Sequence, residues 1–254
     1  MPDLKLADAT LHYEMHEGDG FPLLLFAPGF LSSRIERWSR NPSSPGPQYF
    51  ADPIEAMAGK RRMIALDIRN AGASRGAIGP DYAWHTYIED FLALIDHLGI
   101  RHCHVMGGCI GVSFAFALAK ARPDLVASMV LQNPIGRFEN DGALRHEFDD
   151  WANTVRTYPE VDSSRIDDVF DRMFGNDFIF SVSRDFVGSW KKPVLLLAGD
   201  DTMHPAPVSR EIAERGGQVE VHYPWKGLER RDAAIARIVS FLDETDPGER
   251  HTTA

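Results

Sequence analysis

Residues 107–111 place a reactive side chain among very small neighbours. They read Gly-Gly-Cys-Ile-Gly, follow the short apolar run 104–106 and precede the alanine-rich apolar stretch 112–121. This order predicts a strand, a very tight turn and a helix, with glycines where a Cβ would collide with the strand or the helix. The turn would lift Cys109 to the edge of a sheet and to a helix N-terminus, where the dipole favours a thiolate. We therefore predict that Cys109 is a nucleophile.

A second chemical group lies in residues 199–205, which read Gly-Asp-Asp-Thr-Met-His-Pro. His204 comes three residues after Asp201, so an aspartate is available to orient an imidazole that acts as a general base. The alternative is purely structural. His204 would then cap the next helix, which would begin at Pro205, and Asp201 would be an ordinary capping residue.

The elements that position these groups follow from the apolar runs. Continuous apolar segments at 22–27, 62–67, 102–106, 128–132, 192–198 and 219–223 are typical of strands buried on both faces. Amphipathic helical patterns at 87–98 and 232–242 separate them, and 4–17 indicates one or two antiparallel edge strands. The fold class predicted is α/β, with a mostly parallel sheet and helices on both faces.

One segment interrupts this alternation. Residues 136–190 contain no convincing core strand, two helix candidates (143–157 and 163–174) and many aromatic residues, including Trp151. We interpret the segment as a small helical cap over the cysteine turn. The simpler alternative for its aromatic residues is that they form the cap's own core.

Several motifs, in order, resemble those of the α/β-hydrolase superfamily. Residues 27–30 (Ala-Pro-Gly-Phe) are similar to its His-Gly-x loop, 67–74 to its D-x-R-G-x-G-x-S turn, and 199–201 to its acid loop. Residues 95–100 resemble the end of the helix before the elbow strand, and residues 107–111 resemble its nucleophile elbow, as in a bacterial branch with cysteine in the pattern G-x-C-x-G.

The alternation of apolar runs and helices predicts a sheet of about eight strands, with a core of residues 1–135 and 191–245 and a helical cap at 136–190. The polar residues 246–254 are expected to form a disordered tail. The resemblance implies an oxyanion hole made by the backbone N–H groups of Phe30 and Ile110. Cys109 then has two interpretations: a thiolate nucleophile, or a small residue that replaced serine after catalysis was lost.

This chain departs from the family pattern at the base. The superfamily's histidine normally follows the last strand, but residues 224–231 contain none, and His222 lies within the predicted strand. His204 is the available substitute. The first functional hypothesis is a cysteine-dependent hydrolase or acyl transferase acting on a small, partly apolar ester, lactone, thioester or related carbonyl compound. The second is a cofactor-free lyase or isomerase, or a non-catalytic ligand-binding protein, on the same fold.

Four residues are candidates for the substrate pocket: Gly29, Arg34, Trp38 and Trp151. Arg34 and Trp38 follow the predicted oxyanion loop, and Trp151 lies in the cap. A solvated arginine and packing tryptophans are the simpler interpretation. No pair of histidines has metal-ligand spacing, so we predict neither a metal nor a cofactor.

Composition restricts the partners. The chain has 37 acidic and 27 basic residues and a formal charge of −10, which disfavours nucleic acid and anionic membranes. The only two cysteines, Cys103 and Cys109, do not form a disulfide framework, and a free elbow thiol indicates a reducing cytoplasm. We therefore expect a cytoplasmic protein with a small-molecule substrate; the sequence leaves its oligomeric state open.

Overall fold

A computed structural model describes residues 2–40 and 50–247 of the 254-residue chain. Nine strands form one sheet. They are β1 (Asp3–Lys5), β2 (Ala9–His16), β3 (Leu23–Phe26), β4 (Met63–Leu66), β5 (Arg75–Gly76), β6 (Cys103–Gly108), β7 (Val126–Gln132), β8 (Val194–Leu197) and β9 (Val219–His222).

The strand order is β1-β2-β4-β3-β6-β7-β8-β9, with β5 paired to β2 outside this path. All pairs from β4 to β9 along that path are parallel, whereas β2 is antiparallel to β1, β4 and β5. The predicted α/β-hydrolase fold class is confirmed. The fully buried strands β3, β4 and β8 arise from unbroken apolar runs, because helices cover both faces of a parallel sheet.

In the described part of the chain eight α-helices accompany the sheet: α1 (Pro53–Ala56), α2 (Trp84–His97), α3 (Gly111–Ala121), α4 (Asp141–Val155), α5 (Val169–Phe174), α6 (Arg184–Ser189), α7 (Ala206–Arg215) and α8 (Leu228–Thr245). Helix α3 follows the cysteine turn and packs against β3, β6, β7 and α2. All its residues from Gly111 to Ala119 are buried, as expected for a helix that is apolar around its whole circumference. The turn before it is therefore held by packing on several sides.

The segment predicted as a cap contains α4, α5, α6 and one short 3₁₀ turn (Ser163–Arg165), with no strand among its residues, all of which are described. The helix predicted at 163–174 is instead divided into the 3₁₀ turn and α5. Helix α4 packs against a 3₁₀ turn at Phe30–Ser32, which follows β3. The assignment of this segment as a cap domain stays a prediction.

The end of α8 is joined to the middle of the sheet. Buried His104 contacts Ser128 Oγ through Nδ1 at 2.7 Å and donates through Nε2 to Asp246 Oδ1 at 2.7 Å. Arg61 also donates to Asp246, at 2.9 Å. Asp246, which the sequence assigned to a disordered tail, is thus fixed by two partners. Residues 248–254 of that predicted tail lie outside the described residues.

No helix in residues 2–40 and 50–247 combines the length and the apolar character needed to cross a lipid bilayer.

Candidate active site

The turn between β6 and α3 has the geometry predicted from its glycines. Cys109 has a φ of 54°, in the left-handed region that residues with a side chain rarely adopt. A Cβ on Gly107 would lie 2.3 Å from the Gly111 carbonyl oxygen, and one on Gly111 would lie 2.1 Å from the Phe26 carbonyl oxygen. Only glycine at both positions allows α3 to approach β3 and β6 this closely. This close packing maintains the strained conformation of Cys109.

The thiol is less accessible than the sequence indicated. The turn was expected to expose Cys109, but the residue is only 6% exposed. Phe50 is packed over the same turn, its ring carbons 3.2 and 3.3 Å from where a Cβ of Gly108 would stand. Gln132 of β7 fixes the backbone next to Phe50, because its side-chain amide forms two 3.0 Å hydrogen bonds with the backbone of Ala51. A reactive group in this turn is therefore shielded from bulk water.

His204 is fixed by Asp201 within one loop. Its Nδ1 donates to Asp201 Oδ1 at 2.8 Å, with Oδ2 at 3.0 Å, and its backbone N–H donates to the same Oδ1 at 2.9 Å. A carboxylate only accepts hydrogen bonds, so the Nδ1 proton is set by this contact and Nε2 is left for another partner. The cap alternative is not what the structure contains, since α7 begins at Ala206 without a side-chain cap.

Cys109 lies beside His204. Burial acts to lower the pKa of His204, but the Cys109 sulfur and the Asp201 carboxylate together raise it to about 9. Nε2 is buried and has no hydrogen-bond partner among the described residues. The Cys109 sulfur acts together with Asp201 to favour the imidazolium form of His204.

Asp201 is held in its ionised form. Its partial burial acts to raise the pKa, but the hydrogen bond and charge of His204, together with those of Lys226, lower the pKa well below the usual range for aspartate. Lys226 Nζ donates to Asp201 Oδ2 at 2.7 Å and also contacts Asp200. Asp200 forms no contact with His204 among the described hydrogen bonds, so Asp201 is the carboxylate associated with the imidazole.

Lys226 lies in the segment after β9, where the superfamily's histidine was expected. Here that segment contributes an ammonium group to the acid, and Trp225 beside it is buried with its Nε1 donating to the Ala198 carbonyl at 2.8 Å. The segment therefore contacts the acid loop although it provides no imidazole. The lysine in this segment was the sequence feature that could have indicated the contact with Asp201.

The loop after β3 presents backbone donors to the same region. Gly29 has a φ of 121° and Phe30 a φ of 53°. The N–H groups of Phe30 and Ile110 donate no hydrogen bond to any described residue. The Phe30 ring stacks on Phe174 of α5, with the centroids 4.5 Å apart and the planes 15° from parallel. Backbone N–H groups without an acceptor are suited to stabilising a negatively charged oxygen, so the predicted oxyanion hole stays a prediction that these two groups allow.

A polar scaffold beneath this loop sets its position. Ser33 Oγ donates to the Ala27 carbonyl at 2.6 Å. Asp67, at the end of β4, accepts from the backbone of Ile35 at 2.8 Å and of Ala73 at 2.7 Å. Because Asp67 joins two turns, the motif at 67–74 that resembled the superfamily supports the loop that carries Phe30.

The predicted pocket residues differ in their surroundings. Trp38 and Trp151 are buried, and neither indole Nε1 has a hydrogen-bond partner among the described residues. Arg34 contacts Glu36 at 3.4 Å, near the surface. The arginine closest to the chemistry is Arg37, which sequence reasoning did not select. Their roles in a pocket remain predictions.

Arg37 lies over the oxyanion loop. Its Cγ and Nε are 3.1 Å from where a Cβ of Gly29 would stand, so the glycine makes room for this side chain. Burial, followed by the charge of Arg34, lowers the pKa of Arg37, while the charges of Glu147 and Cys109 oppose the shift. Arg37 thus contributes positive charge near the thiol. Arg37 lies in a short 3₁₀ turn, where no periodic pattern in the sequence indicates the direction of a side chain. Its position over the loop could therefore not be predicted.

The fold, the cysteine turn and the acid–histidine loop define an α/β hydrolase, and comparison with known proteins agrees. The family model described as alpha/beta hydrolase fold matches residues 22–180, more than half of the chain. The chain belongs to this family.

Two relatives are informative. The protein named "Putative carbamate hydrolase RutD" from Azorhizobium caulinodans is 32% identical over 149 residues, which cover 59% of this chain and 49% of that protein. The 2-hydroxymuconate semialdehyde hydrolase of Pseudomonas putida is 29% identical over 120 residues, 47% of this chain and 38% of that enzyme. The matched regions thus span about half the length of these relatives or less.

Solved structures share the fold over nearly the whole chain. A mutant of the meta-cleavage product hydrolase CumD superposes with a TM-score of 0.69 at 20% identity, covering 96% of this chain and 98% of its own. The enol-lactonase from Burkholderia xenovorans LB400 gives a TM-score of 0.67 at 20% identity, with 95% and 100% covered. At this identity the likeness concerns the fold.

Proposed function

We propose that the protein is a cysteine-dependent hydrolase of small carbonyl compounds. The observation that carries the proposal is the position of Cys109, strained at the strand-to-helix turn, beside an imidazole that Asp201 orients. A catalytically dead elbow has no need of an oriented imidazole at the sulfur. The lyase and binding-protein alternatives have no comparable observation in their favour.

The reaction would proceed in two steps. The Cys109 thiolate attacks the carbonyl carbon, and the N–H groups of Phe30 and Ile110 stabilise the oxyanion that forms. The His204 imidazolium gives its Nε2 proton to the leaving group, and a thioester remains on Cys109. Water then attacks the thioester carbon while Nε2 takes its proton. The carbon–sulfur bond breaks, the electron pair returns to sulfur, and a carboxylic acid leaves.

The substrate class follows from the surroundings of the thiol and from the relatives. The aromatic rings near the oxyanion loop, Phe30 and Phe174, favour a partly apolar acyl group. Relatives are named for a carbamate and for a ring-fission product, and a structural neighbour for an enol-lactone. We infer that the substrate is a small ester, lactone, thioester or carbamate.

The test is a panel of such compounds assayed with the wild type and three variants. Cys109→Ala should abolish turnover, Cys109→Ser should retain only a small fraction, and His204→Ala should lower kcat by about 10²–10⁴. Thermal melts control for folding. A folded Cys109→Ala with wild-type turnover would reject the proposal, as would a wild type inert toward every compound in the panel.

A further inference from the structure

Asn133 is the counterpart of Cys109 one strand away. Gly108 of β6 and Gln132 of β7 are paired in register, and the next residues, Cys109 and Asn133, have φ values of 54° and 53°. The Cys109 N–H donates to the Gln132 carbonyl at 2.9 Å. The parallel strands β6 and β7 therefore end side by side, and each is followed by a residue in the left-handed backbone conformation. After β6 this residue carries a thiol, and after β7 it carries an amide.

The side-chain amide of Asn133 is buried without a protein partner. The residue has 0% exposure, and neither Oδ1 nor Nδ2 forms a hydrogen bond with a described residue. Asparagine tolerates a positive φ, which explains the backbone but not the burial of both amide atoms. Buried polar groups almost always have partners, because leaving them unsatisfied destabilises the fold. An amide in this state points to a ligand or a water molecule that it binds.

The sheet order places this amide on one side of the thiol. Strand β3, which leads to Phe30, lies on one side of β6, whereas β7 and β8 lie on the other. The Asn133 N–H donates to the Leu197 carbonyl at the end of β8, just before the loop that carries His204. The backbone of Asn133 thus lies between the strand that ends just before Cys109 and the strand that leads to the loop of His204.

We propose that the Asn133 amide binds the water that hydrolyses the acyl-Cys109 intermediate, a role that rests on the proposed function. The water would donate one proton to Asn133 Oδ1 and direct the other at His204 Nε2, leaving an oxygen lone pair for the thioester carbon. As this bond forms, Nε2 accepts its proton and the carbon–sulfur pair returns to the thiolate. Asn133 then acts in deacylation and has little part in acylation.

The test separates the two half-reactions with a chromogenic activated ester from the panel. The initial burst reports acylation and the steady rate reports deacylation. Asn133→Gly keeps the left-handed backbone without the amide, and Asn133→Leu keeps the branched shape of the side chain, at a larger volume, without the amide. In both, acylation should stay within about threefold of wild type while deacylation slows about tenfold or more. Ser113→Ala is the matched control, because it also removes a buried polar group without a described partner, here a hydroxyl one helical turn after Cys109. It should change neither step.

A second measurement is the ratio of two products, which does not change when part of a variant is unfolded. Methanol competes with water for the acyl-enzyme and has only one O–H to donate, so it cannot satisfy both Asn133 and His204. The ratio of methyl ester to acid should rise at least about threefold in both variants. Unchanged deacylation and an unchanged ratio would overturn the role of Asn133, as would equal losses in both half-reactions. Absence of any acyl-enzyme in the wild type would instead reject the proposed function together with this inference.

Discussion

His204 and Asp201 form a pair within a single tight loop, with the imidazole Nδ1 2.8 Å from a carboxylate oxygen that also accepts the His204 backbone N–H. Asp201 therefore fixes both the backbone and the ring of His204. In the proposed site the acid and the base come from one loop, and the segment after the last strand contributes Lys226 instead of a histidine.

The first prediction concerns the orientation of the imidazole. Asp201→Asn would leave the loop largely intact but remove the carboxylate that retains the Nδ1 proton, so kcat should fall by about 10²–10⁴. Asp200→Asn is the matched control, because Asp200 contacts Lys226 but not His204. It should stay within about threefold of wild type. Comparable losses in both variants, with folding verified by melts, would mean that the oriented pair has been misassigned.

A second prediction concerns the dependence of kcat/KM on pH. The charges of Cys109 and Asp201 raise the pKa of His204 to about 9 against the opposing effect of burial. The reactive form needs the imidazolium to protonate the leaving group, so kcat/KM should decline as the pH rises through about 9. In Asp201→Asn this decline should move to lower pH, because one of the groups that raise the pKa is lost. A decline at the same pH in both proteins would count against the pairing.

Lys226 provides a third prediction, because it occupies the segment in which a histidine was expected. Its contact with Asp201 lowers the carboxylate's pKa but does not hold the imidazole. Lys226→Met should therefore reduce kcat by less than about tenfold, far less than His204→Ala. If the lysine variant proved as inactive as the histidine variant, Lys226 would be as necessary for turnover as His204, which contradicts the minor role assigned to it here.

The fourth prediction concerns stability and the His104 cluster. Burial lowers the pKa of His104, although Asp246 opposes this shift. A folded-state pKa below the ordinary value of about 6.5 means that the unfolded chain binds the proton more readily. This contribution is present above about pH 6.5 and is lost as the pH falls below it. Thermal stability should drop between pH 7 and pH 5 in the wild type, and the drop should be smaller in His104→Leu.

The control for that experiment is His146→Gln, since His146 is an exposed histidine on α4. It should preserve the wild-type difference in melting temperature between pH 7 and pH 5. An equal pH dependence in the wild type and in His104→Leu would show that other groups cause the loss of stability in acid.

Local sequence patterns were sufficient for the framework of the site. Apolar runs predicted the strands, and Gly107 and Gly111 predicted the turn at Cys109, because backbone contact at both positions excludes a side chain. The contact between Asp201 and His204 is also local, three residues apart. Such features depend on residues that are close in the sequence, so the periodicity and the residue types of a short segment are enough to predict them.

Features that depend on long-range packing were not predictable in this way. Asn133 directly follows a strand and resembles an ordinary turn residue until its burial between two loops is known. The contact between His104 and Asp246 joins residues 142 positions apart, so Asp246 was assigned from local composition to a disordered tail. The expected exposure of Cys109 was wrong because Phe50, from a distant part of the chain, packs over the turn.

The central claim is that the Cys109 sulfur carries the acyl group during turnover. The most direct measurement is mass spectrometry of enzyme quenched in acid during hydrolysis of an active ester from the panel, followed by peptide mapping. We expect a mass increase equal to the acyl group on the peptide containing Cys109, and none in Cys109→Ala. Turnover without an acylated species, or an acyl group on any other residue, would contradict it.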